Sequence, residues 1–393
     1  MRVVVIGGGA VGSAVALFLQ RGGGAAVDVQ VVEPDPALTL ASSALSAGSV
    51  RQQFSNPVNV QLSQFGHALI ANATDWLGVD GAPVDVGFVP GAYLFCASAA
   101  GAAVLQHNHT AQRAAGADVA LLAPAEAAAR FPWLRTDDLA LASLGRAGEG
   151  WIDGFAFARA LAAKARALGA AWRRDRVVGF EQAGGRLLSA RLASGTTLAA
   201  DAFINAAGPW AGAVGALAGL PVPVHARRRT VFVMTCPTAL PPTPTTPLVV
   251  DASGVWFRRE GATFIGGWSP GAGDDDPDDL PLDQPDLAQF EARVWPALAH
   301  RVPAFEALRL QRAWAGYYEV HPLDHNALIG PHPACANFWL CNGFSGHGLQ
   351  HAPGAGRGIA EQLLTGAWQT LDLSAFSPQR LLTGRPFVEQ AII

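Results

Sequence analysis

Four short stretches of this sequence bring together residue types that can do chemistry. The first is Gly7-x-Gly9-x-x-Gly12, with Glu33 at the end of the next apolar run. Glycines at this spacing let a pyrophosphate approach the backbone, and the helix that follows offers it unpaired N–H groups and a positive dipole end. A carboxylate some twenty residues on accepts hydrogen bonds from a ribose hydroxyl and repels a 2′-phosphate, which argues against NADP. The second stretch, ASSALSAGSVRQQFS (41–55), is small and polar. Ser42 and Ser43 suit phosphate or ribityl oxygens, and Arg51 has the fork that binds a carboxylate. The third is NAAGPW (205–210), where Ala207 and Gly208 leave room for a nucleotide. The fourth is GFSGHG (343–348), whose helix start presents N–H groups to an anion such as the pyrimidine edge of a reduced flavin. The first motif alone does not separate NAD from FAD. Three separated glycine loops around one cofactor suit FAD, a long molecule buried along its length.

The elements that must position these groups are readable in outline. Residues 2–6 (RVVVI) form a strand, a helix runs from about Ser13 to Arg21, and residues 27–32 form a second strand, making a βαβ unit. A helix is expected from Ala156 to Leu168, a strand at 337–342, and a helix from about Pro353 to Leu364. The fold class is α/β. Residues 1–80, 146–220 and 322–393 would form a discontinuous Rossmann-type FAD-binding domain, three-layered with a mostly parallel sheet. Residues 81–145 and 221–321 would form an interleaved α+β substrate domain on an antiparallel sheet. The acidic run Asp274 to Asp279 reads as a solvated loop.

Composition sets the outer limits. With 393 residues, 50% hydrophobic and 15% charged, the chain has the makings of a large core. A net charge of −4 speaks against nucleic acid as a partner. Four scattered cysteines form no CxxC pair, which fits a reducing compartment and no metal. No apolar run reaches the ~18 residues of a membrane span. Met1 and Arg2 lead straight into the first strand, so a cytoplasmic location is expected. Only one lysine is present, Lys164, on an alanine-rich helix with the look of a solvated face.

On the blocks GGGAVG (7–12), GEGWID (148–153), NAAGPW (205–210) and GFSGHGLQHAPGAGRGIAE (343–361), the sequence resembles the D-amino-acid oxidase/sarcosine oxidase superfamily of FAD enzymes. The resemblance covers essentially the whole chain. With SAGSVRQQFS (46–55), AGYYEVHPLDHNALIGPHP (315–333) and TLDLSAF (370–376), it is most similar to a mitochondrial branch of FAD-dependent oxidoreductase-domain proteins associated with assembly of respiratory complex I. The resemblance implies that Gly7, Gly9, Ala10, Val11 and Gly12 hold the pyrophosphate and Glu33 the adenosine ribose. Ser42 and Ser43 would line the phosphate and ribityl path. Val177 would meet the adenine, and Ala207 and Gly208 the nucleotide. Gly346, His347, Gly348, Leu349 and Gln350 would cradle the flavin. Gly316 stands where sarcosine oxidases carry the cysteine that links flavin covalently, so non-covalent FAD is implied. Gln350 stands where they carry a lysine for the substrate carboxylate.

The expected activity is oxidation of a small amine, an amino acid or N-substituted amino acid, by hydride transfer to flavin and hydrolysis of the imine. The candidate catalytic residues are Arg51, Arg258, His347 and Gln350, and Arg258 shares its strand VWFRRE (255–260) with Arg259. The electron acceptor would be oxygen, a quinone or another carrier. The alternative is a flavin-containing assembly factor or scaffold for a respiratory complex with little amine activity of its own.

Overall fold

A computed structural model of the chain describes residues 1–238, 240–242, 245–271 and 277–391. Two large sheets organise it. The first has six strands in the spatial order Leu328–His332, Cys335–Asn342, Ala202–Asn205, Arg2–Ile6, Asp28–Val32, Ala171–Arg173. All neighbours are parallel except the first pair. Alternation along Arg2–Ile6 explains the layering. Val3 and Val5 enter the core beneath the helices Ala10–Gly23, Gly154–Ala167 and Gly348–Thr365. Val4 and Ile6 enter the opposite core, beneath a three-stranded antiparallel sheet built from Val177–Ala183, Arg186–Leu192 and Thr197–Ala199. The result is a three-layer Rossmann-type unit buried on both faces, as a parallel sheet requires.

The second sheet has eight strands, mainly antiparallel, and carries its own aromatic core around Phe257, Phe264 and Phe305. Its longest pair, His225–Thr235 against Arg309–Val320, reaches back to the first sheet. Strand Arg309–Val320 leads into the turn before Leu328–His332, so one edge of the substrate sheet is tied to one edge of the nucleotide sheet.

One boundary and one side chain differ from expectation. The last long helix begins at Gly348, five residues before Pro353, and the proline lies inside it. Pro353 forfeits only one helical bond, and Gly354 and Gly356 let the helix pack closely on Leu62 and on Ala14 of the first helix. Lys164 is half-buried, with its ammonium donating to the carbonyl of Gly78 at 2.6 Å. Asp274 to Asp276 lie outside the described residues, whereas Asp278 pairs with His225 and Arg227. All four cysteines are free thiols. Among the described residues no helix is long and apolar enough to cross a membrane, and no cluster of His, Cys, Asp or Glu could hold a metal.

Candidate active site

A cavity of about 640 Å³ runs from the carboxyl ends of the parallel strands to the first strands of the substrate sheet. This is the crevice where open α/β sheets bind ligands. Of the residues implied by resemblance to hold FAD, Gly7, Gly9, Ala10, Val11, Glu33, Ser42, Ser43, Val177, Ala207, Gly208, Gly316, Gly346, Gly348 and Leu349 line it.

The walls explain why these residue types are needed. Gly7 has φ +101, and a Cβ there would strike the Ala206 carbonyl. That turn is open only to glycine. Gly12 does not line the cavity; it packs on the Gly7 carbonyl, so its part is to let the helix lie against the turn. Glu33 accepts Gly8 N–H at 2.7 Å and Asp35 N–H at 2.8 Å, which fixes the loop while leaving lone pairs toward the cavity. Burial pushes its carboxyl up, partly offset by those two donors. The Ser42 hydroxyl is buried without a partner on the cavity wall, while Ser43 Oγ accepts Ala10 N–H at 3.3 Å. A buried hydroxyl without a partner is costly unless a ligand oxygen completes it, which suits a phosphate or ribityl chain. At the far end, Gly346 has φ +97, and a Cβ there would run into the ring of Tyr318.

Four residues singled out as catalytic lie outside the lining. Arg51 is 2% exposed, donates to the carbonyls of Gln53 and Ala391, and lies 4.0 Å from the Phe54 ring centroid. The folded-back tail covers it, so it does not reach into the cavity. Gln350 is turned into the core, where its side-chain oxygen accepts Arg51 N–H at 2.7 Å and the Ser63 hydroxyl at 3.1 Å. His347 presents its ring to Phe54 at 5.0 Å and to His351 at 5.8 Å; burial holds its pKa well below normal. The loop thus faces the cavity with its glycines and sends its larger side chains into the core. Arg258 is buried, as the inward member of its pair, but it does not line the cavity: it stacks on Trp151 at 4.7 Å, pairs with Glu260 and donates at 3.0 Å to the carbonyl of Ala47, a residue of the cavity wall.

The residues that do face the cavity in their place are Arg229, Tyr317, Tyr318, Glu319, Trp256 and Trp268. Arg229 is the cross-strand partner of Gly316, and its guanidinium lies 5.3 Å from the Tyr318 ring centroid. Arg176 lines the opposite end, beside Val177. The sequence carried Arg229 in plain view, but as one of three consecutive arginines, with nothing local to say which faced inward.

Glu33→Ala should weaken FAD binding by about 1–3 kcal/mol, the cost of stranding the hydrogen bonds that its carboxylate completes. FAD retention after dialysis measures it, and full retention would remove Glu33 from the cofactor site.

A family model described as FAD dependent oxidoreductase matches residues 2–362. FAD-dependent oxidoreductase domain-containing protein 1 of Bos taurus is 39% identical over 426 residues, covering 100% of this chain and 87% of that protein. Among solved structures, L-proline dehydrogenase from P. horikoshii superposes with a TM-score of 0.84 at 25% identity, over 98% of each chain. Glycine oxidase from Geobacillus kaustophilus gives 0.78 at 24% identity, over 96% of this chain and 99% of the other, a likeness of fold. With its crevice, its glycine turns and these relatives, the chain belongs to the DAO family of FAD-dependent oxidoreductases, and FAD is its cofactor.

Proposed function

We propose that the chain oxidises a small amino acid or N-substituted amino acid, with the substrate carboxylate bound by Arg229. The observation that carries this reading is the position of Arg229 in the cavity wall, opposite Gly316 and 5.3 Å from the Tyr318 ring centroid, in a lining that also includes Trp256 and Trp268. An arginine fork matches a carboxylate, and aromatic walls exclude water and pack the carbon skeleton of a small amine. Names among the relatives, L-proline dehydrogenase and glycine oxidase, support an amino-acid substrate. FAD supplies the acceptor for the two electrons of the C–H bond next to nitrogen. The chain's own part is to hold the carboxylate and to keep that bond in a dry, fixed position. A screen of amino acids and N-alkyl amino acids, following anaerobic bleaching of the yellow protein, tests the reading. Failure of every carboxylate-bearing amine to bleach it would overturn the proposal.

For reoxidation we propose a quinone or dye as a faster acceptor than oxygen. Lys164, the one lysine, is bound to Gly78 O and does not line the cavity. It therefore supplies no ammonium to stabilise developing superoxide. Stopped-flow mixing of the reduced protein with each acceptor decides the point. Reoxidation by air-level oxygen at the faster rate, with stoichiometric hydrogen peroxide, would reverse it.

A further inference from the structure

One carboxylate in the cavity wall has no task in the reading above. Glu319 lies next to the end of strand Arg309–Val320, 8% exposed, at a corner where two cofactor loops meet. One of its oxygens accepts Gly343 N–H at 3.0 Å, and the Phe344 N–H also points to the carboxylate. A Cβ on Gly348, the first residue of the helix Gly348–Thr365, would stand 3.0 Å from the other oxygen. A Cβ on Gly208 would stand 3.9 Å from the first. Burial in this corner pushes the carboxyl up to about 7, partly offset by the two backbone donors.

The titratable and charged side chains around it come from three elements. Cys341, on strand Cys335–Asn342, is buried beside it, and the Glu319 carboxylate adds to the upward push on that thiol. On its own strand and the following turn stand Tyr318 and His321. On the paired strand His225–Thr235, the cross-strand partner of Glu319 is Ala226, flanked by His225 and Arg227, which both pair with Asp278, with Arg228 and Arg229 next along the strand opposite Tyr317 and Gly316. The carboxylate itself is held by backbone amides, which stabilise its charged form without fixing it permanently.

We propose that Glu319 takes up a proton from solvent when the FAD in this cavity is reduced. Two electrons arriving with one proton would leave the bound FAD with one additional negative charge. The Glu319 carboxylate gains a second proton and becomes a neutral acid, so the net charge of the cavity does not change. The driving force is elementary: two like charges in one desolvated site disfavour each other, and the carboxylate is the one that can neutralise. Where Glu319 is already protonated, below its oxidised-state value, it has no proton to gain; between that value and the higher one it has beside the reduced cofactor, it is ionised before reduction and takes one. The inference rests on the FAD cofactor and not on the amine reading, and its test uses no amine.

The experiment is a potentiometric titration of the FAD-loaded protein by dithionite between pH 6 and pH 9. Two protons per two electrons make the equilibrium fall hundredfold per pH unit, about 59 mV; one proton makes it fall tenfold, about 30 mV. The wild type should show the steeper slope above about pH 7, and Glu319→Gln the shallower slope throughout. Equal slopes in the two proteins would overturn the proposal. Should Glu319→Gln not retain FAD, the wild type alone gives a second readout. Cathodic reduction in weak buffer with an indicator dye at pH 8, where the electrode supplies electrons and no protons, should consume close to two protons per flavin, and consumption of one would equally overturn it. Neither result depends on whether any amine bleaches the protein.

Discussion

Arg229→Ala should lower kcat/KM on carboxylate-bearing amines by about 30- to 1,000-fold, with FAD still bound. The range is about 2–4 kcal/mol, the usual loss when one partner of a desolvated, hydrogen-bonded charge pair is removed. If the carboxylate is held equally in ground and transition states, the loss falls on KM; if it sets the angle of the reacting C–H bond, kcat falls with it. Arg51→Ala is the informative comparison. Arg51 is tied to Gln53 and Ala391 away from the cavity, so its loss should lower stability and leave the preference for acids over descarboxy analogues unchanged. Steady-state kinetics with an amino acid and the corresponding simple amine separate the two. A carboxylate preference lost in Arg51→Ala and kept in Arg229→Ala would move the substrate site to the other side of the GHG loop.

That comparison also marks what the sequence can and cannot convey. The turns at Gly7 and Gly346 were legible because their requirement is local: a positive φ and no room for a Cβ are properties of a few consecutive residues. The first strand, with Val3 and Val5 to one core and Val4 and Ile6 to the other, follows from alternation alone. Arg229 was not legible, because alternation within Arg227, Arg228 and Arg229 leaves the phase undetermined. That phase is set by pairing with Arg309–Val320, some ninety residues on in the sequence. Arg51 was misplaced for a similar reason. What covers it is Ala391, at the opposite end of the chain, and no pattern around residue 51 reveals that. His347 shows a subtler limit. The motif says that the loop approaches the cofactor, but not that its glycines do so while its histidine turns into the core against Phe54. Glu319 was passed over because a glutamate ending a long strand reads as a surface residue until the second sheet presses it on the Gly343 loop.

The tail that covers Arg51 is held by a buried ionic cluster, and breaking it should produce the largest loss of stability of any single change considered. Asp324 accepts Arg380 Nε–H at 2.7 Å, His321 Nδ1 lies 2.8 Å from its other oxygen, and Phe387 N–H donates to it at 2.9 Å. Arg380 also donates to the carbonyls of Phe376, Asn326 and Ala327. Asp324→Ala leaves that guanidinium buried without its counter-charge, which costs about 3–5 kcal/mol. The double change Asp324→Ala with Arg380→Met should recover part of this, since removing both charges strands neither. The shift in the guanidinium chloride midpoint measures each. The same pairing holds the Asp324 carboxyl well below its ordinary range. Its contribution is therefore present in full above the unfolded carboxylate value, near pH 4. It is lost only as pH falls through the lower folded value. Wild-type stability carried by this cluster should survive to more acid pH than an ordinary carboxylate pair would allow. Because Glu389 N–H donates to Asp324 O and Glu389 in turn is bound by Ser55, Asn56 and Asn59, loosening the cluster should also uncover Arg51. Faster tail proteolysis in Asp324→Ala, with FAD content preserved, is the expected sign. A stability within about 1 kcal/mol of wild type, from that midpoint shift, would show that the tail is held by Glu389 and not by this ion pair.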